Sequence, residues 1–297
     1  MSFPGSFTEH PLPDHLQRVS LSFLVDTMDK RRGGCAPNIA YTLALLGEKP
    51  RLMGTAGQDF DDYRRWLDLA GIDTGLVKQV PDKFTASFFC STDRDGNQIA
   101  SFYTGAMAHA AELTFAAAGM CDLTIISPND PTAMVEYARE CRALKIPYLY
   151  DPSQQVARMG GDDIKEGVIG SHIVICNDYE FAIIREKTGL DEAAMLQHAV
   201  AVVVTKGEKG ASIMLRDTTI DIPAVPPTAI VDPTGVGDAF RGGFMKGLAI
   251  GADFETCGRM GSVAAAFALE HMGGSSHTYT RDEFLARYAA NFGALAW

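Results

Sequence analysis

Positive charge is scarce in this chain. Its 297 residues include 26 Lys plus Arg against 37 Asp plus Glu, a formal net charge of −11. A face basic enough to hold nucleic acid or anionic lipid nonspecifically is therefore not expected. An anionic small molecule is not excluded, because a local site can oppose the net charge. Long apolar runs are missing as well: no stretch of about 18 residues could span a membrane, and no basic-then-apolar leader opens the chain. Cysteine is sparse and scattered. Cys35, Cys90, Cys121, Cys141, Cys176 and Cys257 form no Cys-x-x-Cys pair and no zinc-ligand grouping with histidine. They read as reduced thiols of a cytoplasmic protein, with neither nucleic acid nor membrane as a partner.

What is present is an ordinary globular composition, 46% hydrophobic and 21% charged, long enough for one large domain over 1–297. From about residue 121 the chain alternates short apolar strands with segments of helical period. The strands read are Asp122–Ser127, Ile146–Tyr150, His172–Cys176 and Ala201–Val204, with a helix near 131–144 after the first. Unbroken β-branched runs between helices predict a mostly parallel sheet covered on both faces, a three-layer α/β/α fold. Sites in such sheets gather at the carboxyl ends of the strands. Those ends carry Asn129, Asp151, Asn177, Glu180, Thr205 and Gly207.

Leu16–Met28 and Phe84–Tyr103 are strand-like and fall outside the alternation. The second contains Asp93-Arg94-Asp95-Gly96-Asn97, a strong hairpin signal. A small β-sheet lid is expected from these two regions, at about 12–32 and 84–105. The Pro-rich Ile222–Pro227 reads as an extended connection between strands.

The most informative string is Asp232-Pro233-Thr234-Gly235-Val236-Gly237-Asp238-Ala239-Phe240. It follows the strand-like Ala229-Ile230-Val231 and opens a helix carrying Phe240, Phe244 and Leu248 on one face. Two glycines around one residue let the backbone turn tightly and aim successive N–H groups at one point. The unpaired N–H groups and dipole of the helix add partial positive charge there. The result is an anion hole suited to a phosphoryl group, with Asp238 beside it. Asp238 alone would serve equally as a helix-stabilising carboxylate. No third glycine makes the string a dinucleotide fingerprint, and no Gly-Lys-Ser/Thr makes it a Walker loop.

The string resembles the Asp-Thr-x-Gly-x-Gly-Asp signature of the ribokinase-like, PfkB-type carbohydrate and nucleoside kinases, with Pro233 preceding Thr234. Three further strings match in order: Gly33-Gly34-Cys35-Ala36-Pro37-Asn38, Asn177-Asp178-Tyr179-Glu180, and Thr205-Lys206-Gly207-Glu208-Lys209-Gly210. The resemblance implies phosphoryl transfer from ATP. By it, Asp238 is the base, and the N–H groups of Gly235, Val236, Gly237 and Asp238 hold the developing charge. Asn177 and Glu180 would arrange phosphates and Mg²⁺, Glu180 through water. Thr205, Lys206 and Gly207 would line the ATP cleft. Gly33, Gly34 and Asn38 would meet the substrate, with Asn129 beside them. Asp232 and Thr234 match the positions where K⁺ binds in the family.

Each short motif also has a plain structural reading. Asn177-x-x-Glu180 has capping-box geometry, Gly33-Gly34 could be a simple turn into a helix, and His109, His172 and His277 read as structural or exposed. Similarity around Glu9-His10-x-Leu12-Pro13-Asp14, Ser22–Val25 and Asp238–Gly243 resembles the prokaryotic adenosine/nucleoside kinase branch. Phe23, Phe102 and Met107 could face a purine. A nucleoside 5′-kinase is therefore expected, with a ribokinase- or fructokinase-like sugar kinase as the alternative and a non-catalytic nucleoside-binding relative as a third reading. The resemblance further implies that a first strand of roughly 10–15 residues, with an Asp for sugar hydroxyls, would stand before Ser2-Phe3-Pro4. The lid could close over the site before transfer, or its exposed face could pair with a second copy as a homodimer; the sequence does not choose between monomer and dimer.

Overall fold

A computed structural model describes residues 1–2, 4–7 and 22–297 of the chain. In chain order its regular elements begin with α1 (Cys35–Leu45), β1 (Arg51–Gly57), α2 (Asp61–Leu69), β2 (Asp73–Val80), β3 (Ser87–Thr92) and β4 (Gln98–Tyr103). There follow α3 (Phe115–Ala118), β5 (Thr124–Ile126), α4 (Pro131–Leu144), β6 (Tyr148–Tyr150), α5 (Gly161–Val168), β7 (Ile173–Asn177) and α6 (Asp178–Thr188). The last part holds α7 (Glu192–Met195), β8 (Ala201–Thr205), β9 (Ala211–Met214), β10 (Thr219–Ile222), α8 (Val236–Ala249), α9 (Phe254–Leu269) and α10 (Arg281–Phe292).

The main sheet has six strands in the order β10-β9-β8-β7-β6-β5. Strands β5 to β8 run parallel, whereas β9 and β10 join antiparallel, so the sheet is mixed. Alternation along the strands sorts the two faces. Val174, Cys176, Val202 and Val204 pack with Met134, Ala138, Ile164 and Ile184 of α4, α5 and α6. Ile173, Ile175, Ala201 and Val203 meet Ile39 and Leu43 of α1 and Phe240 and Phe244 of α8. This period-2 split builds three layers, each fully buried large side chain contributing about 1.5–3 kcal/mol. Glycines let the helices close up: a Cβ on Gly242 would stand 2.6 Å from Thr42 Cβ on α1, and one on Gly243 2.5 Å from the Met260 carbonyl on α9.

Smaller sheets flank this body. β1 and β2 pair in parallel and pack with α1 and α2 around Tyr41, Leu52, Phe60 and Leu67. β3 and β4 form an antiparallel hairpin with five loop residues, Asp93–Asn97. There the Asp93 carboxylate accepts N–H bonds from Asp95 and Asn97 while Gly96 takes φ 83°.

Several boundaries differ from the sequence reading. Residues 8–21, with Glu9–Asp14 and the first part of the expected lid, lie outside the described residues. Residues 22–32 form no named strand; their one bridge pairs Thr27 with Ser2. Ala229–Val231 is not a strand either. Ile230 is 78% exposed, and the Val231 N–H bonds only to the Leu269 carbonyl at the end of α9, so nothing there supplies a ladder. The Pro-rich segment after Ile222 therefore leads from β10 toward α8 and does not join two strands. No helix among the described residues is long and apolar enough to cross a membrane.

Candidate active site

The site begins at the N-terminus of α8. Gly235 is its N-cap at φ 77°, a left-handed conformation that side chains resist. A Cβ there would also stand 2.4 Å from Gly274 Cα. The turn leaves the N–H groups of Gly235, Gly237 and Asp238 without an acceptor among the described residues, while Val236 makes a long 3.4 Å bond to the Pro233 carbonyl. Free donors at a helix N-terminus attract an anion.

Asp238 stands in that first turn. Its Oδ2 accepts a 2.8 Å hydrogen bond from Asn38 Nδ2 on α1. Asn38 is itself buried, and its Oδ1 has no partner. Gly34, at φ 107°, caps α1 and turns the chain so that Cys35 and Asn38 face α8. Burial pushes the Asp238 carboxyl up to about 6; the hydrogen bond from Asn38 and the charge of Arg241 pull it back. Burial, and after it the Asp238 charge, lifts the nearby Cys35 thiol well above its usual range. A free aspartate, with an ordinary value of about 3.9, is ionised at neutral pH with no tuning. The buried setting replaces it with a carboxylate that titrates at about 6.

Beneath Asp238 lies an ion pair. Arg241, one turn along α8, donates from Nη2 to Asp151 Oδ1 at 2.6 Å, and its Nε stands 2.5 Å from Asp151 Oδ2. Both side chains are almost wholly buried, 5% and 0% exposed. Arg241 Nη1 reaches back to the Gly237 carbonyl at 3.0 Å. Asp151 ends β6 and also accepts the hydroxyl of Ser153, a non-glycine held at φ 40°. On α6, Asn177 and Glu180 close a capping box: the Glu180 N–H donates to Asn177 Oδ1, and the Asn177 N–H donates to Glu180 Oε2. Burial raises the Glu180 carboxyl, opposed by the Asn177 N–H and by Arg241.

The other expected residues are brought in unequally. Asn177 and Thr205 are register partners at the carboxyl ends of β7 and β8, so the Asn177–Glu180 and Thr205–Gly210 strings are brought side by side. Gly207 follows at φ 58°. Lys206 is drawn to Ser212 and, at 4.0 Å, Asp221. Asn129 precedes α4, where its Oδ1 accepts the Asp130 N–H, and among the described residues no hydrogen bond joins it to Asp238 or Asn38. Asp232 accepts from the Thr234 and Gly273 N–H groups and lies 3.7 Å from Arg31. Burial would raise this carboxyl, but Thr234, Gly273 and Arg31 together hold it below its usual value. Thr234 is exposed. Gly33 accepts from the Tyr63 hydroxyl at 3.1 Å. Of the aromatics, Phe23 packs edge-on to Phe7 and Phe102 is 49% exposed on β4.

Residues 9–281 match the model of the pfkB family of carbohydrate kinases. The chain belongs to this family. It is 32% identical over 284 residues to a nucleoside kinase of Methanothermobacter thermautotrophicus, covering 94% of this chain and 92% of that one. Its fold matches a Burkholderia thailandensis nucleoside kinase solved in complex with inosine, at TM-score 0.88 and 37% identity over 99% of this chain and 94% of that one. The same protein in complex with ADP-inosine matches at TM-score 0.86 and 38% identity, covering 99% and 92%.

Three groups in this kinase's site carry no role in the sequence motifs. Arg241 stands out in retrospect as a charge in an otherwise apolar helix face between Phe240 and Phe244, a position that needs a buried counter-ion. Asp151 is visible as a strand-end carboxylate, but its pairing with a residue 90 positions away is not. Cys35 was read as one of six packing thiols; only the fold aims it at Asp238.

Proposed function

We propose that this kinase transfers the γ-phosphoryl group of ATP to the 5′-hydroxyl of a purine nucleoside, in the cytoplasm, where its six free thiols stay reduced. The carrying observation is Asp238, joined to Asn38 at the open N-terminus of α8. Its carboxylate takes the hydroxyl proton as the new O–P bond forms and the bond from the γ-phosphorus to the bridging oxygen breaks. ADP leaves, and the N–H groups of Gly235, Val236, Gly237 and Asp238 hold the charge on the transferring phosphoryl oxygens. Asn38 Oδ1, buried and unpartnered, suits a sugar hydroxyl donor. The nucleoside kinases to which the chain is similar support the choice of acceptor.

Among the described residues no three His, Cys, Asp or Glu side chains gather to hold a metal. Mg²⁺ needs few protein ligands, since it keeps several waters and is bound largely by substrate phosphates. Glu180, with one oxygen outside its capping box, would hold it through water, beside Asn177, Thr205 and Gly207 along the nucleotide. The ion would neutralise charge on the triphosphate. Both Asp232 oxygens already serve N–H donors, so a K⁺ ion there would share this carboxylate with Arg31. The exposed Phe88, Phe89, Ile99 and Phe102 of the hairpin support pairing with a second copy through the lid.

The test is transfer of labelled phosphate from γ-labelled ATP with Mg²⁺, offered separately to inosine, adenosine, guanosine, ribose and fructose. Labelled nucleoside 5′-monophosphate is expected. Label on ribose or fructose, with none on any nucleoside, overturns the reading.

A further inference from the structure

The charges under the proposed base are more elaborate than a cap requires. A first-turn aspartate needs no guanidinium three residues on, and an apolar helix face facing the sheet would fill its space better with a hydrocarbon side chain. Instead Arg241 is buried, gripped by Asp151 at the end of β6, and bonded to the carbonyl of Gly237, the residue at the centre of the donor turn. A Cβ on Gly237 would come within 3.1 Å of Arg241 Nη1, so the turn and the guanidinium are fitted to one another.

We propose that the Arg241–Asp151 pair is a positioning device for phosphoryl transfer, in which Asp151 clamps Arg241 so that it fixes the donor turn through Gly237 and holds one positive charge beneath Asp238. This rests on the reading of Asp238 as the group that takes the proton. Both side chains are buried, so neither is assigned a contact with substrate. Arg241 acts through Gly237 and Asp238, and Asp151 acts through Arg241. Tethering the helix turn to a strand end ties the anion hole to the rigid sheet, and a small displacement there is costly to the reaction.

The charge role has a definite sign. The groups facing Asp238 are Cys35 and Asn38 from α1, Tyr63 from α2, Asp151 from the end of β6, and Arg241 from its own helix. Glu180 of α6 faces Arg241 from the other side. Arg241 favours the ionised base and Asp151 opposes it, Arg241 being the stronger of the two. Burial disfavours the guanidinium charge, but Asp151, then Asp238 and Glu180, outweigh it, so Arg241 stays protonated. Removing Asp151 therefore makes the base easier to ionise, and removing Arg241 makes it harder.

The experiment measures kcat, KM and the pH profile of kcat/KM on the full chain with ATP, Mg²⁺ and inosine. The variants are Asp151→Asn, Arg241→Gln, Arg241→Lys and the double variant Asp151→Asn with Arg241→Gln; thermal melts report folding. Asp151→Asn is expected to move the acid limb down by about half a unit or more, and Arg241→Gln to move it up by a similar amount. The double variant is expected between them. Arg241→Lys keeps the charge but not the fork, so its limb stays near wild type while kcat falls about tenfold or more. KM values are expected to change little in all four.

Coincident acid limbs in every folded variant, with Asp238→Asn inactive, would overturn the pair's role and leave the base intact. Turnover retained by Asp238→Asn would remove the base and the pair's role with it. Where a single variant fails to fold, the charge-neutral double variant decides: wild-type kcat in it overturns the proposal.

Discussion

Asn38 and Asp238 lie 200 residues apart in the chain and meet at 2.8 Å, where α1 and α8 pack against the same face of the sheet. The amide donates to the carboxylate and leaves its own oxygen unpaired, so one side chain would both orient the proposed base and offer a contact to an incoming hydroxyl. Asn38→Ala removes both. Turnover with nucleoside is expected to fall by about tenfold or more, and the acid limb of kcat/KM to rise, because the ionised base loses a donor. An unchanged limb would separate Asn38 from Asp238 in function.

Asp238→Asn keeps the shape of the turn and the bond to Asn38 but removes the proton acceptor. Turnover is expected to drop about 10²-fold or more, with inosine binding by calorimetry largely retained. In the wild type, activity should fall as pH drops through about 6, the value to which burial lifts this carboxyl. A flat profile down to pH 4.5, after correction for ATP ionisation, would show that the carboxylate is not the titrating base.

Much of this site was legible in the sequence, and the reason is local geometry. Gly-x-Gly before a helical period dictates a tight turn with free N–H groups, and the structure has Gly235 in the left-handed region with donors unpaired. The helix read near 131–144 from its period stands at Pro131–Leu144, where the structure adds a cap: the Asp130 carboxylate accepts the Thr132 and Ala133 N–H groups. What was not legible depends on contacts between distant segments. Nothing near Arg241 in sequence names Asp151 as its partner. Ala229–Val231 shows how an apolar run misleads: its composition is that of a strand, yet no neighbour offers a ladder, and the segment stays irregular and exposed. The Asn177–Glu180 pair lies between these cases. The capping box is present, and a capping role does not prevent a carboxylate from also reaching a hydrated cation.

Gly235→Ala tests the anion hole apart from the base. The substitution strains a left-handed residue by about 1–2 kcal/mol and drives a methyl toward Gly274 Cα, 2.4 Å from where it would stand. The turn must shift, so kcat is expected to fall about tenfold or more while the far side of the fold is untouched. Gly54→Ala, on β1 with nothing within 4 Å of the added carbon, is the matched control and should change neither kcat nor Tm appreciably. Equal effects of the two would mean that the turn has no special geometry to lose.

His277 carries a prediction for stability. Its ring is wholly buried beside Tyr41 and Tyr279, with Nε2 3.4 Å from the Thr42 hydroxyl, and burial lowers its pKa to about 4 against an ordinary value near 6.5. Below 6.5 the unfolded chain binds a proton that the folded chain refuses, so this group's contribution is complete above that pH and is lost as pH falls from 6.5 toward 4, by an amount on the order of 3 kcal/mol. Asp238 works in the opposite direction. Its folded value of about 6 exceeds that of a free carboxylate, so the folded chain takes up the proton first and gains stability between about 6 and 4. The two windows overlap and partly cancel in the wild type, and the histidine must be read as a difference. His277→Leu removes the titrating ring while leaving Asp238 in place. Its Tm is expected to be lower at pH 7.5, where the packing of the ring is lost, yet the gap to wild type should narrow steadily from pH 6.5 to 4.5. A gap that stays constant over that range would mean that the buried ring is protonated in the folded state.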